Sequence, residues 1–175
     1  MSESPPAPAA AGRHHLGGSR QLGFGVLTVS DTHTVDDDPS GDLARRLIEQ
    51  AGHRVVRTAL VANSVADVRD LLEPWLADPK VEAAVTIGGT GASSRDLTVN
   101  ALEAMGGRRL EGFGEIYRSL SFGEVGPLAI ISRAALFVLH GKPVFALPGS
   151  ERAVRTALER LILPASVHLI EELER

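Results

Sequence analysis

Apolar segments of two periodicities alternate through the first half of the chain, and that alternation leaves few folds open. The 24–30 run, FGVLTVS, predicts a buried strand, followed by a polar loop over 31–40. Leu43, Ala44, Leu47, Ile48 and Ala51 then form a helical stripe, which Gly52 closes. The 53–62 run, HRVVRTALVA, predicts a second strand. Ser64 opens the next helix with Asp67 three residues on, the spacing of a capping box. Val68, Leu71, Leu72, Trp75 and Leu76 supply its apolar face, Pro79 stops it, and 81–87 predicts a third strand. A β-α-β-α-β order implies an α/β protein, with a parallel sheet and helices packed on its faces. Such sheets bind ligands in the crevice beyond the carboxyl ends of their strands.

The second half is less regular. Short helices are predicted over 98–105 and 112–122, while 126–133 carries no clear period. Strands over 134–139 and 143–147 flank His140, Gly141 and Lys142, the spacing of a hairpin. Ser150 is placed to cap a helix whose stripe is Val154, Ala157, Leu158, Leu161 and Ile162. Pro164 is expected to break that helix, with a last short one over 165–173.

Composition narrows the function classes. A length of 175 residues suits one domain with a sizeable core. Residues 1–20, rich in Pro, Ala, Gly and Ser, predict a disordered tail ahead of a single domain over 21–175. A net charge of −4 argues against electrostatic binding of nucleic acid or of an anionic membrane. Cysteine is absent, which removes disulfides, thiolate nucleophiles and Cys-ligated zinc. Without an apolar run of membrane-spanning length or a secretory signal pattern, a cytoplasmic protein is expected.

The candidate site lies where the third predicted strand ends. Gly88, Gly89, Thr90 and Gly91 follow it directly, then Ala92, Ser93, Ser94, Arg95 and Asp96 precede a helix. Glycines allow a sharp turn and let several N–H groups converge on an anion. Asp96 would place a carboxylate at the rim, able to hold Mg²⁺ or orient a phosphate-bearing substrate. Ser30 and Asp31 end the first strand and should share that edge, and the N–H groups of Ser40 and Gly41 could take a phosphate. Asp36 and Asp37 read as solvated loop residues. The pattern is neither a P-loop nor the dinucleotide Gly-x-Gly-x-x-Gly, no Gly-x-Ser-x-Gly elbow is present, and the histidines lack metal-ligand spacing.

Several segments, in order, resemble the MoaB/MogA family of molybdenum cofactor biosynthesis proteins. They are Thr28-Val29-Ser30-Asp31, Asp38-Pro39-Ser40-Gly41, residues 86–98, residues 111–115 (EGFGE), Ile131-Ser132-Arg133-Ala134 and Leu147-Pro148-Gly149-Ser150. The likeness runs from Leu22 to the end, and the short length is closer to the MoaB branch. It implies a three-layer α/β/α sandwich with a mostly parallel sheet, the molybdopterin-binding fold. It also implies transfer of AMP from Mg-ATP to the terminal phosphate of molybdopterin, and a homotrimer or hexamer. On the resemblance, Gly88, Gly89, Thr90 and Gly91 would cradle the nucleotide phosphates, with Ser30, Asp31, Ser40 and Gly41 lining the same crevice. Asp96 would be the essential carboxylate, acting through Mg²⁺. Pro148, Gly149 and Ser150, with Glu115, Ser132 and Arg133, would serve the molybdopterin side. Asn63 stands where adenylylating relatives carry an aspartate. That exchange favours the alternative of a non-catalytic molybdopterin- or nucleotide-binding member of the pathway.

Overall fold

A computed structural model describes residues 20–34 and 36–175. Its centre is a six-stranded sheet, in the order β2-β1-β3-β6-β5-β4. The strands are β1 (Gly23–Val29), β2 (Arg54–Val61), β3 (Ala83–Ile87), β4 (Arg108–Leu110), β5 (Ala135–Leu139) and β6 (Lys142–Leu147). β1 pairs in parallel with β2 and β3, and β3 with β6. β5 runs antiparallel to both of its neighbours, so the sheet is mostly parallel with an antiparallel flank.

Helices cover both faces, which makes the expected three layers. α1 (Pro39–Gln50), α4 (Glu111–Val125), α5 (Glu151–Ala157) and α6 (Leu163–Leu173) share one face; α2 (Val65–Ala77) and α3 (Thr98–Ala104) cover the other. Successive strand residues point to opposite layers: Val26 packs with Leu43 and Ile48 of α1, and Leu27 with Val68 and Leu72 of α2. Every residue of β1 is therefore buried, as in a central strand covered on both sides. A fully buried leucine there contributes roughly 1.5–3 kcal/mol over an exposed one.

The local expectations for the first half hold. Ser64 caps α2, its Oγ accepting from the Asp67 N–H at 3.3 Å. The hairpin forms as well, with positive φ at both His140 (51°) and Gly141 (76°), as a two-residue primed turn requires. Of the tail expected over residues 1–20, residues 1–19 lie outside the described residues. Arg20 pairs with Glu82 at 2.6 Å and Glu174 at 2.7 Å.

Other local features depart from expectation or add to it. α1 is capped by Asp38, whose Oδ1 accepts from the Gly41 N–H at 2.9 Å. Residues 126–131, which lack a period, form a 3₁₀ turn, Gly126–Ile131. Pro164 does not break its helix: α5 passes through a π segment, Leu158–Ile162, directly into α6. The wider π turn gives up ordinary helical bonds at the place where proline has no N–H to offer. Ser166 then donates to the Ile162 carbonyl at 2.6 Å. β4 was not foreseen, because three residues reading Arg-Arg-Leu show no alternation.

Candidate functional site

The chain turns sharply at the end of β3. Gly88 has φ +103°, and a Cβ there would stand 2.2 Å from the Val29 carbonyl oxygen. Gly89 has φ +64°, and its Cβ would meet Thr98 Oγ1 at 2.3 Å. Only glycine satisfies both demands, a left-handed backbone and contact with the neighbouring chain.

The carbonyls of this loop are turned into the protein and bonded there. Thr98 Oγ1 donates to Gly88 O at 2.8 Å, and the Thr98 N–H to Gly89 O at 3.0 Å. The Arg133 N–H donates to Thr90 O at 2.8 Å and its Nε to Gly91 O at 2.8 Å. Its remaining guanidinium nitrogens reach Asp96 O and, at 3.1 Å, Asn100 Oδ1. Arg133 is thus a clasp on the loop and does not face the cleft.

The amides have the opposite fate. Among the described residues those of Gly89, Thr90 and Gly91 take no partner. Thr90 Oγ1 is likewise buried and unpartnered, in a residue only 2% exposed. Donors facing one way with their carbonyls spent behind them make an anion-binding nest. A buried hydroxyl without a partner is a costly feature unless something arrives to use it.

These groups line a cleft of about 350 Å³, within the range of small-molecule sites. Asp96, Ser132, Pro148, Gly149 and Ser150 line it too. Asp96 Oδ2 accepts from the Ser93 N–H at 3.0 Å, which orients the carboxylate over Gly91. The far wall is α4, with Tyr117, Ser121 and Glu124 on successive turns, and Arg152 of α5 beside them. Burial pushes the Tyr117 phenol above its ordinary range, against the opposing effect of the Ser121 hydroxyl, so it stays a neutral donor.

A second recess of about 270 Å³ adjoins the first across Gly149. Ser30, Ser40 and Gly88 line it, with Asp38 on its wall. Ser40 Oγ donates to Gly149 O at 2.7 Å and ties the two loops together. Thr28 Oγ1 donates to Asp38 Oδ2 at 2.6 Å, so the Asp38 carboxylate is spent on Thr28 and the α1 cap. The Gly41 N–H is spent on that same cap and is not available to a phosphate.

Asp31, Gly41, Glu115 and Arg133 line neither recess. Glu115 is exposed on α4. Asp31 Oδ1 accepts from the Asn63 N–H at 2.8 Å, and Asn63 Oδ1 accepts from the Leu97 N–H at 3.0 Å. Asn63 therefore latches the loops after β1, β2 and β3 to one another beside Gly89. The sequence reading missed the α4 wall. Tyr117, Ser121 and Glu124 follow i, i+4, i+7 spacing, but the expected helix ended at residue 122, before Glu124 was reached.

Among the described residues, no group of three or more His, Asp or Glu side chains is placed to hold a metal ion. One carboxylate at a phosphate nest nevertheless fits Mg²⁺ arriving with a nucleotide, because phosphates and waters fill most of its coordination sphere. No described helix is long and apolar enough to cross a membrane.

Comparison with known proteins places this arrangement. Residues 25–168 match the family described as "Probable molybdopterin binding domain". The molybdenum cofactor biosynthesis protein B of Halalkalibacterium halodurans is 40% identical over 149 residues, covering 85% of this chain and 88% of that one. The Bacillus subtilis protein of the same name is 37% identical over 151 residues, 86% of this chain and 89% of its own. A crystal structure of a molybdenum cofactor biosynthesis protein B superposes with a TM-score of 0.86 at 35% identity, covering 91% and 99% of the two chains. The tungsten cofactor synthesizing protein MoaB of Pyrococcus furiosus superposes at 0.78 with 29% identity, covering 89% and 99%. With a family match over residues 25–168, relatives at 37–40% identity across most of both chains and a superposable fold, the chain belongs to the MoaB-like family of molybdenum cofactor biosynthesis proteins.

Proposed function

We propose that this protein binds molybdopterin and transfers AMP to its terminal phosphate from ATP. The observation that carries the reading is the nest: free amides at Gly89, Thr90 and Gly91, with the buried Thr90 hydroxyl unpartnered beside them. In the reaction, a terminal phosphate oxygen of molybdopterin attacks the α-phosphorus of ATP. A new P–O bond forms, the α–β phosphoanhydride bond breaks, and pyrophosphate leaves. Such transfers depend chiefly on alignment and on donors set where negative charge builds, which the nest supplies without reorganising. Mg²⁺, held by Asp96 and the phosphates, would neutralise charge on the nucleotide. Asp96 suits that role: Oδ2 is committed to the Ser93 amide, and among the described residues Oδ1 accepts no hydrogen bond.

The rival reading, a binding protein without catalysis, is favoured by one observation. Asn63 is neutral and occupied as a latch, so among the described residues beside the nest only Asp96 is a carboxylate, where on the resemblance adenylylating members carry an aspartate at the position of Asn63 as well. Incubation with molybdopterin and Mg-ATP, read by mass spectrometry, separates the two. Product from wild type, lost in Asp96→Ala, is the expected result. Product only after Asn63→Asp would leave the binding reading standing.

The protein also self-associates on this reading, as a homotrimer or hexamer. Support comes from Ile116 and Phe122 of α4 with Leu128, Ile130 and Ile131 of the 3₁₀ turn, all exposed, Ile130 by 83%. Leu128 and Ile131 line the cleft, while Phe122 and Ile130 line a separate recess, and exposed large apolar residues on adjoining elements mark an interaction surface. Light scattering should give an oligomer for wild type and a smaller species for Ile130→Glu; a monomeric wild type would refute the assembly.

A further inference from the structure

The two walls of the cleft differ in chemistry. The glycine loop offers free backbone amides, with the Asp96 carboxylate at its rim, whereas α4 presents the Glu124 carboxylate. Glu124 Oε1 accepts from Thr156 Oγ1 at 2.7 Å, which fixes the carboxylate against α5. Arg152 Nε stands 3.9 Å from Oε2, a loose ion pair beyond hydrogen-bond reach, and its side chain is 64% exposed, so it leaves the lone pairs of that oxygen unused. Glu124 is therefore anchored through one oxygen and keeps acceptor capacity on both.

The three free amides favour a phosphate in the nest over one at the Glu124 carboxylate. A ring edge with two adjacent N–H donors would be held by that carboxylate. Glu124 and the free amides of Gly89, Thr90 and Gly91 line the same cleft from different elements. That layout suits a ligand with a phosphate at one end and a heterocycle at the other.

Resting on the molybdopterin reading above, we propose that Glu124 recognises the 2-amino and N3–H donor edge of the pterin ring. The ligand then lies with its ring at α4 and its terminal phosphate at Gly89, Thr90 and Gly91. Glu124 sets specificity by accepting two parallel hydrogen bonds, which a 2-oxo ring cannot offer because it places an acceptor against the carboxylate. A site built to hydrogen-bond a ligand group discriminates strongly against the analogue lacking it.

The test titrates the full chain with neopterin monophosphate and with its 2-oxo lumazine counterpart, using the fluorescence of the rings. Wild type should bind the pterin at least about tenfold more tightly than the lumazine, and Glu124→Gln should lose that preference. The ratio of the two affinities is the readout, because a merely structural role for Glu124 would weaken both ligands alike. Equal binding of both rings by wild type, or an undiminished preference in Glu124→Gln, overturns the proposal. If wild type still adenylylates molybdopterin in that case, only the role of Glu124 falls. Failure of wild type to bind either ring overturns the proposal together with the reading beneath it.

Discussion

The two halves of the sheet treat their polar groups in opposite ways. On the parallel side, the loops after β1, β2 and β3 are bonded to one another. Asp31 holds Asn63, Asn63 holds Leu97, and Asp38 caps α1 while accepting from Thr28. On the antiparallel side, α4 and the 3₁₀ turn carry Glu124 with spare acceptor capacity and a row of exposed apolar residues. One half spends its loop polar groups on its own chain, and the other leaves some of its polar and apolar groups unspent. The glycine loop sits on the seam, with its carbonyls bonded and its amides free.

This contrast gives a ranking of expected effects. The largest belongs to Gly88→Ala, where a positive φ and a backbone oxygen 2.2 Å from the new Cβ act together. A loss of about 3 kcal/mol or more in urea unfolding is expected. A smaller loss would show that the loop can move off Val29 and is less rigid than the parallel side implies.

Arg133→Ala comes next. It removes the guanidinium from Gly91 O, Asp96 O and Asn100 Oδ1 while its backbone bond to Thr90 survives. We expect a loss of about 2 kcal/mol and faster hydrogen exchange at the bonded amides of Leu97 and Thr98. Arg133→Lys should recover only part, since an ammonium cannot reach carbonyls in the directions of a planar fork. Full recovery by lysine would mean that charge, not geometry, holds the loop.

Asn63→Ala should cost about 1 kcal/mol through the lost acceptor for the Leu97 N–H. Asn63→Asp keeps an acceptor and should cost less. Equal losses in the two variants would show that the neutral amide itself matters to the latch.

The smallest effect concerns pH and a residue far from the cleft. His53 Nδ1 accepts from the Leu22 N–H at 3.3 Å, and its ring lies 5.5 Å from that of Phe24. Burial lowers its pKa from the ordinary 6.5, against an opposing pull from Glu82. The unfolded chain therefore takes up the proton first as pH falls. This contribution to stability is whole above about pH 6.5 and is lost as pH drops through the folded value. His53→Gln should flatten the stability profile below pH 6.5, and an unchanged slope would place the acid sensitivity elsewhere.

Much of this was legible in the residues. The strand–helix rhythm up to residue 87, the Ser64 cap and the hairpin at His140 rest on local periodicity and turn chemistry, which neighbours in sequence suffice to specify. The glycine loop was legible for the same reason: its conformational demand is written in its own residues. The fate of Pro164 was not, because a π turn and the Ser166 hydroxyl rescue the helix, and their register depends on packing.

The roles of charged side chains were legible least. Arg133 and Glu124 are both polar residues near helix ends, and local pattern gives each the same surface role. Only the folded chain turns Arg133 inward onto carbonyls from residues some forty positions earlier and fixes Glu124 against Thr156 of α5. Backbone preference is local and could be read along the chain. Which donor meets which acceptor depends on segments far apart in sequence, and it was decided when they packed.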